Sequence, residues 1–234
     1  MGKTILITQS NYIPWKGYFD LINSADEFVL YDDMQYSRRD WRNRNKIKTA
    51  QGLAWLTIPV MVKGRFSQKI SETKISDPIW AEKHWQSIKQ NYSRAPYFSK
   101  YGPVLEEAFS GCSSDSLSLV NYALLKCLCD ILKIRTTFRW SSEFVLAEDR
   151  TERLIQICSG LKGTKYITGP SAKAYMNEAL FAEAGLAIEY FNYSEYPTYS
   201  QLYGEFVHDV SVIDLIFNEG ENSSKYMKTF GCCS

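Results

Sequence analysis

The stretch TILITQSNYIPWKGYFDLINSADEFVLYDD, residues 4–33, determines the expected fold class. Its two short apolar runs, TILIT at 4–8 and EFVLY at 27–31, are typical of buried strands because they are rich in β-branched and aromatic residues. Between them, turn residues including Pro14 precede GYFDLINSA at 17–25, which predicts a short helix. A strand, a loop, a helix and a second strand within about thirty residues have the size of a β-α-β unit. The chain is therefore expected to open with two parallel strands.

Strand and helix patterns alternate through the rest of the chain. Predicted strands are LAWLTIPV at 53–60, TTFRW at 136–140, KYITG at 165–169 and LAIEYFNY at 186–193, and predicted helices lie at 77–92, 102–110, 115–134, 149–161, 171–185 and 210–220. This alternation predicts an α/β fold of three layers, with a mostly parallel Rossmann-like sheet of about five strands. Residues 1–234 are expected to form a single α/β domain. Within it, residues 60–112 are expected to form an insertion or lid, with a hairpin or extended edge at 63–76 and a helix.

The composition limits the class of protein. The 234 residues suffice for one large domain, and a net charge of +1 argues against a globally basic nucleic-acid binder. No apolar run approaches the roughly eighteen residues of a membrane span, and the start MGKTILIT is too quickly polar for a secretory signal. A cytoplasmic protein without a nucleic-acid partner or a membrane span is therefore expected, and the composition leaves its oligomeric state open.

The spacing of cysteine and histidine argues against a metal site. The six cysteines include no CxxC pair, and the two histidines, His84 and His208, are far apart. Zinc sites need ligands that are clustered in such motifs. Without an export signal, the cysteines are expected to be reduced thiols. No metal ligand is assigned from the sequence.

Polar residues follow three of the apolar strands directly. The three loops are TQSNYIPWKGYF at 8–19, DDMQYSRRDWRNRNKIK at 32–48 and TGPSAKAY at 168–175. In open parallel sheets, ligands bind beyond the carboxyl ends of the strands. These loops are therefore expected to meet around one ligand.

The first loop offers an amide, two flat rings and an open helix start. Gln9 can donate and accept hydrogen bonds, and Tyr12 and Trp15 present faces on which a base or a sugar can stack. Gly17 begins the helix without a side chain over its N–H groups, an arrangement that attracts anions. These four residues are assigned to substrate binding. The alternative for Tyr12 and Trp15 is that they cover the end of the sheet.

The second loop combines acids, amides, an indole and cations. Asp32, Asp33 and Gln35 are assigned catalytic roles, because a carboxylate at a strand end can act as a base, orient a ribose or bind a metal ion. The substrate-binding residues assigned here are Trp41, Asn43, Arg44 and Lys48. In an extended chain the cations at 42, 44, 46 and 48 share one face, which suits phosphate or carboxylate. The alternative is a solvated edge strand whose charges oppose aggregation.

The third loop places Gly169 and Ser171 at a predicted helix start, with Lys173 close by. Gly169 and Ser171 are assigned to substrate binding, because a hydroxyl group and free N–H groups at a helix start can hold a phosphate. The alternative for Ser171 is a plain helix cap. The loop lacks the GxxxxGK[ST] spacing of a P-loop, and the chain lacks the GxGxxG of a dinucleotide site.

Several of these motifs together resemble a known family, the WbqC-like protein family. The matching stretches are QSNYIPWKGYF at 9–19, YDDMQY at 31–36, NRNKIK at 43–48, KYITGPSAKAYM at 165–176 and SVIDLIFNEG at 211–220. Ser10 departs from the pattern, which has proline after Gln9. The resemblance implies a bacterial protein encoded among genes for the O-antigen of lipopolysaccharide and other surface polysaccharides. It implies a transferase that places an acyl or aminoacyl group on a nucleotide-linked amino sugar.

The opening unit, with its strand ending in YDDMQY, also resembles the start of the nucleotidyltransferase and pantothenate-synthetase superfamily. Those enzymes activate a carboxylate or phosphate with ATP. The resemblance therefore implies an ATP-dependent ligase as the alternative function, with ATP and magnesium as its cofactor. Their His-x-Gly-His signature is replaced here by Trp15-Lys16-Gly17-Tyr18, without histidine. A non-catalytic binding protein of polysaccharide assembly is a third hypothesis.

Overall fold

The computed structural model describes residues 2–230 and places five strands in one parallel sheet. Including a separate hairpin, the strands are β1 (Thr4–Thr8), β2 (Glu27–Leu30), β3 (Arg44–Thr49), β4 (Gly52–Thr57), β5 (Thr137–Trp140), β6 (Lys165–Thr168) and β7 (Ala187–Tyr190). The sheet has the order β5-β2-β1-β6-β7, and each neighbouring pair is parallel. The predicted Rossmann-like sheet of five strands is confirmed.

The antiparallel hairpin β3–β4 stands apart from the main sheet. Its turn places Thr49 opposite Gly52, and Gly52 has a φ of +111°, a value that suits glycine. The basic run of the second loop therefore forms a hairpin strand, because the predicted strand at 53–60 pairs with it. The segment 63–76, for which a hairpin or edge was predicted, consists of turns and isolated bridges.

Seven α-helices occur in residues 2–230. They are α1 (Lys16–Asn23), α2 (Trp80–Tyr92), α3 (Phe98–Ser110), α4 (Leu117–Ile131), α5 (Arg150–Gly160), α6 (Glu178–Glu183) and α7 (Val212–Glu219). The helix predicted at 171–185 divides into a 3-10 turn at Pro170–Ala174 and the short α6, because the backbone is extended at Asn177. Within this part of the chain, no helix combines the length and the apolar character that a membrane crossing requires.

Different helices cover the two faces of the sheet, which gives three layers. Successive side chains of a strand point to opposite faces, and in β1 Leu6 packs into one core while Ile5 and Ile7 pack into another. The larger core includes side chains of α1, α4 and α7, and the smaller core those of α5 and α6. Both faces of the sheet are therefore buried, as expected for parallel strands.

Residues 60–112 contribute α2 and α3 to the larger core. Trp80 and Ile88 of α2 and Phe109 of α3 are almost fully buried and pack with the core of the sheet. This face of α2 therefore points inward. A lid function for residues 60–112 stays a prediction.

Segment 191–211, between β7 and α7, contains neither helix nor strand. Segments this long without regular structure are uncommon in compact domains and are often functional. The buried Lys48 ammonium donates to Gln201 Oε1 at 2.7 Å, and the buried Lys16 ammonium donates to the Pro197 carbonyl oxygen at 2.7 Å. Two buried lysines therefore hold this segment against the hairpin and α1.

The order of the strands reverses between β1 and β6. From β1 the chain moves outward through β2 to β5, and then returns across the sheet to β6 and β7. At such a reversal the loops that leave two adjacent strands diverge, which opens a crevice beyond their carboxyl ends. The topology therefore places a crevice next to Thr8 and Thr168, where β1 and β6 end.

A buried hydrogen bond joins the first loop to α2. The Tyr12 hydroxyl lies 2.8 Å from His84 Nδ1, and the His84 ring also hydrogen-bonds the backbone of Thr57. A ring that accepts at one nitrogen and donates at the other is neutral. Burial is the main cause that lowers the pKa of His84 from 6.5 to about 4. Protonation of His84 therefore favours the unfolded chain.

We expect acid to destabilise the fold through His84. Its protonation should lower the free energy of unfolding by about 2 to 3 kcal/mol between pH 7 and pH 4.5. The unfolded chain protonates His84 near pH 6.5, whereas the folded chain resists protonation until about pH 4. Urea unfolding at both pH values should show a smaller acid loss in His84→Gln than in the wild type. His208→Gln is the matched control because His208 is exposed. Equal acid losses in the wild type and His84→Gln would contradict this account.

Candidate functional site

A cavity of about 710 Å³ lies at the reversal point of the sheet. Thr8 and Gln9 at the end of β1, together with Thr168 and Gly169 at the end of β6, form part of its wall. The second loop and the start of α5 contribute further side chains. Small-molecule sites typically have volumes of about 300 to 1,000 Å³. The three strand-end loops thus contribute to one cavity of suitable size for a small molecule.

Two guanidinium groups line this cavity, those of Arg42 and Arg150. Arg42 Nη1 donates to the side-chain oxygen of Asn11 and, at 3.3 Å, to the carbonyl oxygen of Ser10. The Arg150 guanidinium lies 3.9 Å from the centroid of the Tyr175 ring. Among the described residues that line the cavity, none has a carboxylate. The cavity therefore has a positive lining that suits an anion.

Aromatic rings are the second group of lining side chains. Trp15, Trp41 and Tyr193 border the cavity, and the ring centroids of Trp15 and Tyr193 are 5.5 Å apart. Gly17 lies directly behind Trp15, because a Cβ atom at this position would come within 2.3 Å of the indole. Gly17 therefore allows Trp15 to fold over the first turn of α1, where its face can contact a flat ligand group.

The residues assigned from the sequence fall into two groups. The residues that line the cavity are Gln9, Trp15, Gln35, Trp41, Gly169 and Ser171, with Gly17 behind Trp15. The residues that lie elsewhere are Tyr12, Asp32, Asp33, Asn43, Arg44 and Lys48. The loop residues nearest the ends of β1 and β6 are thus brought together, whereas the two acids and the hairpin residues are not among the lining side chains.

Asp32 belongs to a buried polar network next to the cavity. Its carboxylate accepts hydrogen bonds from the Ser10 backbone N–H at 2.8 Å, from the Ser10 hydroxyl at 2.7 Å and from the Ser118 hydroxyl. The Asn121 amide donates to the Ser10 hydroxyl at 3.0 Å and to the Arg42 carbonyl oxygen at 2.8 Å. Burial raises the pKa of Asp32, although these hydrogen bonds oppose the rise. The network connects the loops after β1 and β2 and helix α4 with the backbone of Arg42.

Asp33 is the more accessible of the two adjacent acids. Its side chain is 20% exposed and lies 3.7 Å from the Lys69 ammonium, and it accepts a hydrogen bond from the Ser141 hydroxyl. Tyr31, two residues earlier, lines the cavity. Asp32 and Asp33 lie in a turn after β2, and their side chains have different hydrogen-bond partners. One acid therefore enters the buried network and the other stays in contact with solvent.

The assigned hairpin residues face in different directions. The Asn43 amide donates to the Ile58 carbonyl oxygen at 2.8 Å inside the core, whereas the Arg44 guanidinium lies 4.1 Å from the centroid of the Trp55 ring. Lys48 is buried because segment 191–211 covers it and accepts its hydrogen bonds. The hairpin residues Asn43, Arg44 and Lys48 thus serve contacts within the protein.

The sequence WKGY at the start of α1 supplies no ammonium group to the cavity. The Lys16 ammonium lies 5.0 Å from the centroid of the Tyr196 ring and 5.1 Å from that of Tyr199. Burial lowers the pKa of Lys16 to about 8. Tyr18 does line the cavity, but its hydroxyl donates to the Gln9 carbonyl oxygen at 2.7 Å. Lys16 therefore belongs to the packing of segment 191–211.

Among the lining residues that the sequence analysis did not assign to the site are Arg150, Tyr175 and Tyr193. Arg150 follows Asp149, whose carboxylate caps α5, and Tyr193 follows β7. Applied to the loops after β5 and β7 as well, the strand-end rule includes both residues. Tyr175 ends the third loop, and its aromatic ring in a strand-end loop is the signal that points to it.

Within residues 2–230, no group of three or more His, Cys, Asp and Glu side chains is arranged to hold a metal ion. The described cysteines, Cys112, Cys127, Cys129 and Cys158, are free thiols. Cys232 and Cys233 lie outside the described residues. The chemistry of the cavity is therefore that of guanidinium groups, amides, hydroxyls and aromatic rings, an arrangement that can bind an anion attached to a flat group.

Comparison with known proteins identifies a family and a relative of this chain. The sequence model of the WbqC-like protein family matches residues 9–226. The chain is also 47% identical over 226 residues to the uncharacterized protein Rv1507c of Mycobacterium tuberculosis, an alignment that covers 97% of this chain and 98% of the relative. No solved structure matches the chain.

Proposed function

Because the chain belongs to the WbqC-like protein family, we propose that it is a transferase of bacterial surface polysaccharide (O-antigen) biosynthesis. It places an acyl or aminoacyl group on the amine of a nucleotide-linked amino sugar. The reaction takes place in the cytoplasm, where the nucleotide-linked sugar is available. Family membership suggests the pathway, and the cavity at the reversal point supports the class of substrate.

The observation that carries the proposal is the lining of the cavity. Arg42 and Arg150 offer two guanidinium groups, and Trp15, Trp41 and Tyr193 offer flat faces. Guanidinium groups bind phosphate through paired hydrogen bonds, and aromatic faces stack on bases and sugars. A nucleoside diphosphate is the common small molecule that joins a diphosphate to a flat base. The lining is therefore suited to a nucleotide-linked substrate.

The proposed transfer forms one bond and breaks another. The sugar amine attacks the carbonyl carbon of an activated donor, a thioester or an acyl phosphate. A C–N bond forms, the bond from the carbonyl carbon to the leaving group breaks, and the leaving group departs with its electron pair. We assign Asp33 as the general base, which takes the proton from the nitrogen through a bridging water, because Asp33 lies outside the lining but is partly exposed, whereas Asp32 is enclosed by hydrogen bonds. Gln35, at the wall of the larger cavity, positions the bound substrate, and Asp32 positions the first loop.

One observation favours a second function, a binding protein of polysaccharide assembly without catalysis. Among the described residues, the side chains that line the cavity include no Asp, Glu, His or Cys. These are the groups that most often transfer protons or form covalent intermediates in enzymes. A cavity with this lining can hold a nucleotide-linked sugar for another protein to use.

We expect isothermal titration calorimetry to detect saturable binding of at least one UDP-, GDP- or dTDP-linked hexose. The reason is that Arg42 and Arg150 replace the water around the diphosphate with charge-assisted hydrogen bonds. ATP with magnesium is titrated in parallel, and binding of ATP alone would favour the ligase. The absence of heat with every nucleotide sugar would contradict the proposal.

Turnover by the same preparation separates the transferase from the binding protein. Wild-type protein is incubated with UDP-glucosamine as acceptor and with acetyl coenzyme A, acetyl phosphate or a glycyl thioester as donor. Mass spectrometry should detect the N-acylated sugar nucleotide with the wild type and not with Asp33→Asn, while both proteins bind the acceptor equally. Binding without product from any donor would favour the second function, and equal turnover by both proteins would exclude Asp33 as the base.

A further inference from the structure

A second, smaller cavity of about 250 Å³ adjoins the first. Its lining residues are Asn11, Pro14, Trp15, Trp41, Asn45 and Asp209. Typical small-molecule sites occupy about 300 to 1,000 Å³, so this cavity suits a group smaller than a complete nucleotide. The question is which part of a ligand it accepts.

The two cavities share walls and lie side by side. Asn11, Trp15 and Trp41 line both of them. The Asn11 side-chain oxygen also accepts a hydrogen bond from Arg42, which lines only the larger cavity. A phosphate group bound at Arg42 is therefore close to the boundary between the cavities. One ligand can extend from this boundary into both.

The walls of the smaller cavity are flat and mostly apolar. Pro14, Trp15 and Trp41 contribute rings. The Asn45 amide is already used within the protein, because it donates to the Ile13 carbonyl oxygen at 2.9 Å and accepts from the Lys46 backbone N–H at 2.8 Å. Asn45 therefore shapes the wall and leaves the two indoles as the main contact surfaces.

The rim of the smaller cavity is polar and carries a balanced charge. The carboxylate of Asp209 pairs with the ammonium of Lys46. The Lys46 ammonium also lies 5.8 Å from the centroid of the Trp41 ring. An ammonium group of a ligand would meet a carboxylate that is already neutralised, and a carboxylate of a ligand would meet Asp209. The rim thus favours an uncharged group that can exchange hydrogen bonds.

We propose that the smaller cavity binds the pyranose ring of the nucleotide-linked sugar. The ring has a flat C–H face that packs against an indole and a rim of hydroxyl groups that hydrogen-bond Asp209 and the Asn11 amide. The diphosphate lies at Arg42, and the nucleoside occupies the larger cavity. This assignment rests on the proposed function, and it adds which cavity holds which part of the substrate.

The test compares each nucleotide-linked hexose with its free nucleoside diphosphate by calorimetry. Asp209 lines only the smaller cavity, and its side chain is 61% exposed, so Asp209→Phe narrows that cavity without disturbing the core. We expect Asp209→Phe to weaken the binding of the UDP-, GDP- or dTDP-hexose by at least about tenfold. The binding of the free nucleoside diphosphate should weaken by less than about twofold. Glu189→Phe is the matched control, because Glu189 forms a similar surface ion pair with Lys165.

Two outcomes separate the inference from the proposed function. Suppose that wild-type protein binds the sugar nucleotide, and that Asp209→Phe weakens this binding no more than it weakens binding of the free nucleoside diphosphate. The sugar is then not in the smaller cavity. If wild-type protein binds neither ligand, the proposed function itself fails.

A measurement on the wild type makes the test independent of how well Asp209→Phe folds. Pro14 lines only the smaller cavity, so the hexose ring protons of the bound sugar nucleotide should show nuclear Overhauser effects to the Pro14 ring protons. Hexose protons with such effects only to Tyr175 or Tyr193, which line only the larger cavity, would overturn the assignment.

Discussion

Replacing Arg42 with alanine is expected to weaken the binding of a nucleotide-linked sugar by roughly ten- to hundredfold, or about 1.5 to 3 kcal/mol. The guanidinium group lines the larger cavity and is held on the first loop by Asn11 and the Ser10 carbonyl oxygen. Asp40 lies 3.7 Å from Arg42 Nε, which leaves the Nη1 edge directed at the loop that borders the ligand. Calorimetric titration with the nucleotide sugar that binds the wild type measures the loss.

The matched control for this variant is Arg44→Ala. Arg44 lies two residues further along the same basic run, but its guanidinium packs on Trp55 and not in the cavity. Its removal should leave the affinity within about twofold of the wild type. Equal losses in the two variants would mean that overall positive charge, and not the position of Arg42, attracts the ligand.

Asp32→Ala is expected to lower the free energy of unfolding by about 3 kcal/mol or more. The change removes the acceptor of three hydrogen bonds, two from Ser10 and one from Ser118, in a site from which water is excluded. Buried donors that lose their partner each cost about 1 to 3 kcal/mol. Urea unfolding at pH 7 measures the change, and the same preparation is then titrated with the sugar nucleotide.

Asp33→Ala is the control for the effect on stability, because its side chain is partly exposed. Its cost should stay within about 1 kcal/mol. Asp32→Asn keeps the shape of the side chain and an oxygen for the Ser10 N–H, so it should fall between the two alanine variants. If Asp32→Ala and Asp33→Ala unfold at the same urea concentration, the network does not support the loops as described.

Most of the sheet could be predicted from the sequence because local signals were strong. The run TILIT has β-branched residues on both faces, and such a strand is stable only between two apolar layers. The hairpin was harder to place, since the basic run of the second loop alternates as a strand does but carries the charges of a loop. Its pairing with β4 is decided by tertiary contacts, including the burial of Ile47 and Leu56.

The site could be predicted in part, for a similar reason. Gln9 and Gly169 directly follow adjacent strands of the sheet, so the topology alone brings them together. Arg42 and Arg44 are equivalent in the sequence, and the Asn121 hydrogen bond to the Arg42 backbone is a contact over 79 residues that no local pattern reveals. Tyr12 is buried whereas Trp15 lines the cavity. The chain turns sharply between them at Ile13, where φ is +34°.

Segment 191–211 contributes to the walls of both cavities without belonging to the sheet or to a helix. Tyr193 near its start borders the larger cavity, and Asp209 near its end borders the smaller one. Its course depends on anchoring side chains and not on strand pairing or helical turns. Mutations can therefore accumulate there while the sheet stays unchanged, and lineages that share the fold can change the walls of both cavities by altering this one stretch.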